Sequence, residues 1–95
     1  SQAEVQRQVL FLQEKIDAIE QGRATEKDKL IVARLLDNLI KKYEDFGDHQ
    51  NRNTYEAMRS EYQKRGTISQ QILNQSLAAS SKVEATVTVQ EIDDF

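Results

Sequence analysis

Ninety-five residues with a formal charge of −3 and a pI near 5.1 make one domain, enough for a single core and no more. The acidic balance argues against a nucleic-acid or anionic-membrane binder, which needs a basic face to release counterions. The chain has no cysteine, hence no disulfide, thiolate metal site or cysteine nucleophile, which favours a reducing, cytoplasmic setting.

The opening residues, Ser1 to Glu4, lack the basic and apolar regions of a secretory signal, and the missing methionine points to a processed chain or an excised domain. Val5, Val9, Leu12, Ile16 and Ile19 then recur at spacings of four, three, four and three, the seam of a heptad helix. Leu10 and Phe11 widen that stripe on this reading. Gly22 ends it, because glycine reaches the left-handed conformation of a helix C-terminus without a steric penalty.

Thr25, with Asp28 three residues on, reads as a capping box that opens a second helix. Val32, Leu36, Leu39, Tyr43 and Phe46 form its seam, broadened by Leu35 and Ile40. Glu26 and Asp28 near its start and Lys41 and Lys42 near its end suit the helix dipole. From about Glu26 to Phe46 it runs roughly 30 Å.

Gly47 to Asn53 reads as a hydrophilic loop, after which Asn53, with Glu56, opens a third helix bearing Tyr55, Met58 and Tyr62 on one face. Gly66 interrupts that face. Either one long helix carries Gly66 inside it, at a cost of about 1 kcal/mol relative to alanine, or the helix breaks there. In the second case Thr67, with Gln70, opens a short fourth helix to about Ala79. The other two glycines act as stops, which favours the break.

Residues 67–81 contain no charged side chain although charge is abundant elsewhere. That gap fits a helix end fading into a linker, or a helix contacted on two faces, by its own bundle and by a partner, since interface cores are depleted of charge. Beyond it the period changes from helical to alternating: Val83, Ala85, Val87 and Val89 against Glu84, Thr86, Thr88 and Gln90. A strand needs a neighbour, and the chain offers no second strand, so the tail is either disordered or pairs with another molecule's sheet edge. Four acidic residues against Lys82 give it −3.

The expected fold is all-α: a small antiparallel bundle of three long helices over residues 1–80, the third either continuous or broken at Gly66 into a short fourth, followed by an acidic, strand-like or disordered tail over 81–95. Small three-helix bundles of the BAG, GAT and syntaxin N-terminal type have this general shape. The second helix and basic third helix resemble the BAG type in shape and charge, with no shared motif.

No constellation for catalysis emerges. His49 is the only histidine, beside Asp48 in a polar loop, and reads as solvated. The stretch from Asp48 to Asn53 lacks the acid spacing and terminal glutamate of an EF-hand. Asp37/Lys41 and Glu61/Arg65 read as i,i+4 surface ion pairs. The expectation is a protein that is no enzyme, needs no cofactor or metal, and does not insert in a membrane.

The candidate partner surface comprises Tyr55, Arg59 and Tyr62 on the third helix, Ile72, Leu73 and Leu77 in the charge-free segment, and Val83, Val87, Val89, Ile92 and Phe95 in the tail. Arg59, Lys64 and Arg65 give the third helix a modest basic surface for an acidic partner. Tyr43 reads as a core-edge residue. The expected function is a protein–protein interaction module (an adaptor, cochaperone-like or assembly-factor domain) that binds through a helix face and the tail. The alternative is a self-assembling structural protein of the viral or phage scaffold kind, joined by its helices and an exchanged tail. Nucleic-acid binding through the second and third helices ranks last.

Overall fold

The computed structural model describes residues 2–75. They form α1 (Gln2–Glu20), α2 (Glu26–Asp45), α3 (His49–Arg65) and α4, helical over 70–75. Five residues join α1 to α2 and three join α2 to α3, and connections that short make sequential helices antiparallel neighbours. The expected all-α bundle is what forms.

The two connections are built from backbone chemistry readable in the sequence. Gly22 has φ +72°; its N–H donates to Ile19 O at 3.1 Å and the Arg23 N–H donates to Ala18 O at 3.0 Å. Gly47 repeats the arrangement, donating to Glu44 O while Asp48 donates to Tyr43 O. These paired bonds use carbonyls that a helix C-terminus otherwise leaves open. At the start of α2 the Asp28 N–H donates to Thr25 Oγ1 at 3.2 Å and the Thr25 N–H donates to Asp28 Oδ2 at 2.9 Å, so the capping box is complete.

The third helix begins earlier than the apolar pattern implies. Asn53 is not its cap but an interior residue, and His49 is not in a loop but opens the helix. Asp48 is the cap: its Oδ1 accepts from the Asn51 N–H at 3.1 Å. One residue thus closes α2 through its N–H and opens α3 through its carboxylate.

α2 is the central helix, its backbone lying against α1 on one side and α3 on the other. Val32, Leu36 and Leu39 are fully enclosed, meeting Val5, Val9, Leu12 and Ile16 of α1 and Tyr55 and Met58 of α3 in one core. Each such side chain contributes roughly 1.5–3 kcal/mol by burial. Ile68 and Leu73 join the core from the turn before α4 and from α4.

Three side chains depart from the expected stripes. Leu10, Phe11 and Phe46 are 52, 41 and 45% exposed. Leu10 and Phe11 lie off the stripe that Val5, Val9, Leu12 and Ile16 bury on α1. Phe46 is the C-cap residue of α2, one position past its last helical turn.

The break at Gly66 is real. Gly66 has φ +71° and ψ +13°, and its N–H donates to Tyr62 O at 2.8 Å. The residue preceding α4 is Ser69, whose carbonyl accepts from the Leu73 N–H at 3.2 Å. Thr67 is not the cap: its Oγ1 is buried without a hydrogen-bond partner. Two polar clasps hold α4 in place, Gln70 Nε2 donating to Glu20 Oε2 at 3.0 Å and the Ser69 N–H donating to Glu61 Oε1 at 3.1 Å.

Candidate functional site

The third helix was expected to offer an aromatic and basic surface; the structure spends most of it on the bundle itself. Tyr55 is fully buried and its ring stacks on Tyr43, with centroids 5.3 Å apart and planes at 20°. Such a pair adds about 0.5–1.5 kcal/mol beyond its area. Both tyrosines belong to the core, so Tyr55 presents no surface to a partner.

One turn on, Arg59 Nε donates to Asp37 Oδ1 of α2 at 2.8 Å. Asp37 therefore bridges two helices rather than pairing with Lys41 along its own. Tyr62 is half-buried; its hydroxyl donates to Lys29 O at 2.7 Å, tying α3 to the first turns of α2. Burial raises the Tyr62 phenol above its ordinary pKa, the Glu26 charge adds to this, and Arg59 opposes it. The Glu61–Arg65 pair forms as expected, at 2.8 Å. Lys64 stays exposed.

In the charge-free segment Leu73 is buried and Ile72 is half-buried against the core. Their apolar character is explained by α4's own packing. Leu77, Val83, Val87, Val89, Ile92 and Phe95 lie outside the described residues.

The opposite flank, between α1 and α2, carries a ladder that sequence reasoning missed. Lys15 Nζ sits 5.1 Å from the Phe11 ring centroid and donates to Asp28 Oδ1 at 2.8 Å. That bond and the one from the Thr25 backbone hold the Asp28 carboxyl down at about 2. Phe11 is thus roofed by a lysine although it lies outside the core. The signal was available, since Phe11 and Lys15 are four apart on one helix face, but the partner on α2 was not.

Among the described residues, two shallow cavities lie at the ends of the bundle. The first, about 290 Å³, lies where Gln2 and Gln6 face Tyr43, Phe46 and Asp48. Its one acid is occupied: Asp48 accepts from the Asn51 N–H at 3.1 Å and from Asn51 Nδ2 at 2.7 Å. The second, about 360 Å³, is walled by Ile19, Ala24, Lys29, Tyr62 and Arg65. Its two cations face Glu26 at 3.2 Å and Glu61 at 2.8 Å. Neither cavity joins a nucleophile to a base, as covalent or acid–base chemistry requires. Among the described residues no cluster of histidine and acidic side chains is placed to hold a metal ion, and no helix there is long and apolar enough to cross a membrane. No family model, no curated protein and no solved structure matches this chain.

Proposed function

We infer that this chain is a non-enzymatic protein–protein interaction module, in which a self-contained helical bundle carries its C-terminal segment to a protein partner, with the cytoplasm as its setting. The observation that supports this most is the core that the described residues build by themselves. Among the described residues Ile68 and Leu73 are the last to enter it, and Val83, Ala85, Val87 and Val89 follow in strand period with no strand among the described residues to pair with. Main-chain pairing on another protein's sheet edge satisfies such a segment's backbone, with side chains at alternate positions setting specificity. Its −3 charge favours a partner with a basic rim.

Affinity capture with the full chain, with residues 1–81, and with Val87 and Val89 both replaced by aspartate tests the reading. The account expects one set of bound proteins on the full chain, lost from both altered forms. Retention of the same proteins on residues 1–81 would move the binding surface onto the bundle. Light scattering of the full chain separates the alternative, because a scaffold oligomer would show a multiple of the chain mass without any added partner.

A further inference from the structure

The three helix breaks among the described residues look alike in sequence and differ in how firmly they are fixed. At Gly22 and Gly47 two backbone bonds close the preceding helix, and a carboxylate caps the next one, Asp28 in its box with Thr25 and Asp48 on Asn51. Gly66 has a single backbone closing bond, to Tyr62 O, and the carboxylate at the start of the next helix comes from α3, Glu61 accepting from the Ser69 N–H. The threonine that follows it caps nothing and buries its hydroxyl unpartnered, which costs free energy that a hydrogen bond would recover. Gly66 is the weakest of the three stops.

We propose that Gly66 is a hinge through which α4 exchanges between two copies of the chain, the second copy being the occupant of the Ile68–Leu73 site. Straightening residues 66–69 fuses α3 and α4 into one helix of about 40 Å. In that helix the Thr67 hydroxyl reaches the carbonyl of Gln63 four residues back, as interior threonines do. The new helix carries Ile68, Ile72 and Leu73 away from their own core and into the vacated site of a two-fold partner. The core contacts of Ile72 and Leu73 and the bond of Gln70 to Glu20 are remade between chains, while the Ser69 N–H exchanges the Glu61 carboxylate for the Arg65 carbonyl of the fused helix. The closed form is then held chiefly by the left-handed conformation at one residue. A Cβ added at Gly66 meets no atom within 4 Å, so an alanine there acts through the backbone alone.

Alanine disfavours the left-handed state and favours the helical one, together about 30- to 150-fold per chain. With two hinges per dimer, Gly66→Ala should tighten dimerisation by roughly a thousandfold or more. The chain contains no cysteine, so Glu20→Cys and Gln70→Cys placed together in the full-length protein report the topology when joined by a short bismaleimide. A closed chain links within itself and runs as a monomer on a denaturing gel; an exchanged pair runs as a dimer. The expected result is monomer with Gly66 and linked dimer with Gly66→Ala, with light scattering showing twice the chain mass.

Gly66→Asn, which tolerates the left-handed state, should stay largely monomeric. So should Gly22→Ala, which meets the same open space at the same φ but at a doubly fixed break. Intrachain linkage in Gly66→Ala, or an equal yield of dimer from Gly22→Ala, would overturn the proposal. Should Gly66→Ala lack a cooperative melt, the reporter with the original Gly66 decides. Concentrated and annealed just below its melting midpoint, it must yield linked dimer, and monomer alone refutes exchange. The outcome is independent of whether the tail binds a foreign partner.

Discussion

Replacing Leu36 by alanine removes three carbons from the middle of the central helix, at a side chain with no exposed surface. Transfer alone accounts for about 2.4 kcal/mol at ~0.8 kcal/mol per methylene. A residual cavity raises this, since Val32, Leu39 and the facing core residues are held by helices on both sides and collapse only partly. The expected loss is therefore about 3–4 kcal/mol. A domain of this size carries roughly 4–11 kcal/mol in all, and each kcal/mol shifts its midpoint by about 4–8 °C. Far-UV circular dichroism during heating should show a midpoint at least ~12 °C lower, and urea titration a lower midpoint with unchanged slope. Leu30→Ala is the control: Leu30 is 63% exposed and should change stability by about 0.5 kcal/mol or less. Equal effects from the two substitutions would refute the placement of the core stripe on α2.

Three further outcomes follow from the polar joints. The Asp28 carboxyl titrates at about 2 in the folded chain, below its ordinary value of 3.8. The stability it contributes is complete above about pH 4 and is lost as pH falls toward 2, so Asp28→Asn should flatten the acid limb of stability against pH in that window. Asp48→Ala removes the side-chain cap of α3 and should cost about 0.5–2 kcal/mol in urea titrations, whereas Asn53→Ala, inside the helix, should cost little. Tyr62→Phe deletes the bond to Lys29 O and should cost about 0.5–1.5 kcal/mol. Because the Tyr62 phenol titrates above its ordinary 10.0, its contribution is present at neutral pH and is lost as pH rises past that value. The same substitution should therefore weaken the alkaline loss of stability.

How much of this was legible beforehand depended on which force set each feature. The seams of α1 and α2 were readable because one buried stripe per helix imposes a period, which Val5, Val9, Leu12 and Ile16 display on α1 and Val32, Leu36, Leu39 and Tyr43 on α2. The breaks at Gly22 and Gly47 were readable because only glycine enters the left-handed state freely. The start of α3 was not, since Asp48 to Thr54 contains no apolar residue to mark a period, although an aspartate directly after a C-terminal glycine was a capping signal in plain view. Asp37 escaped because its partner, Arg59, is 22 residues away and only the packing of α2 on α3 brings them together. The proposed surface suffered from the same ambiguity. Tyr55 and Leu73 have the residue types of an interface and serve a core, and amphipathic pattern alone does not distinguish the two.

The central claim is that the bundle is complete without its C-terminal segment. Thermal melting of residues 1–81 beside the full chain, followed by circular dichroism with light scattering on each sample, tests it most directly. The account predicts coincident, cooperative melts within a few degrees and a compact 1–81 fragment. A broad or strongly lowered melt for 1–81 would show that residues beyond Ser81 belong to the core, and would contradict it.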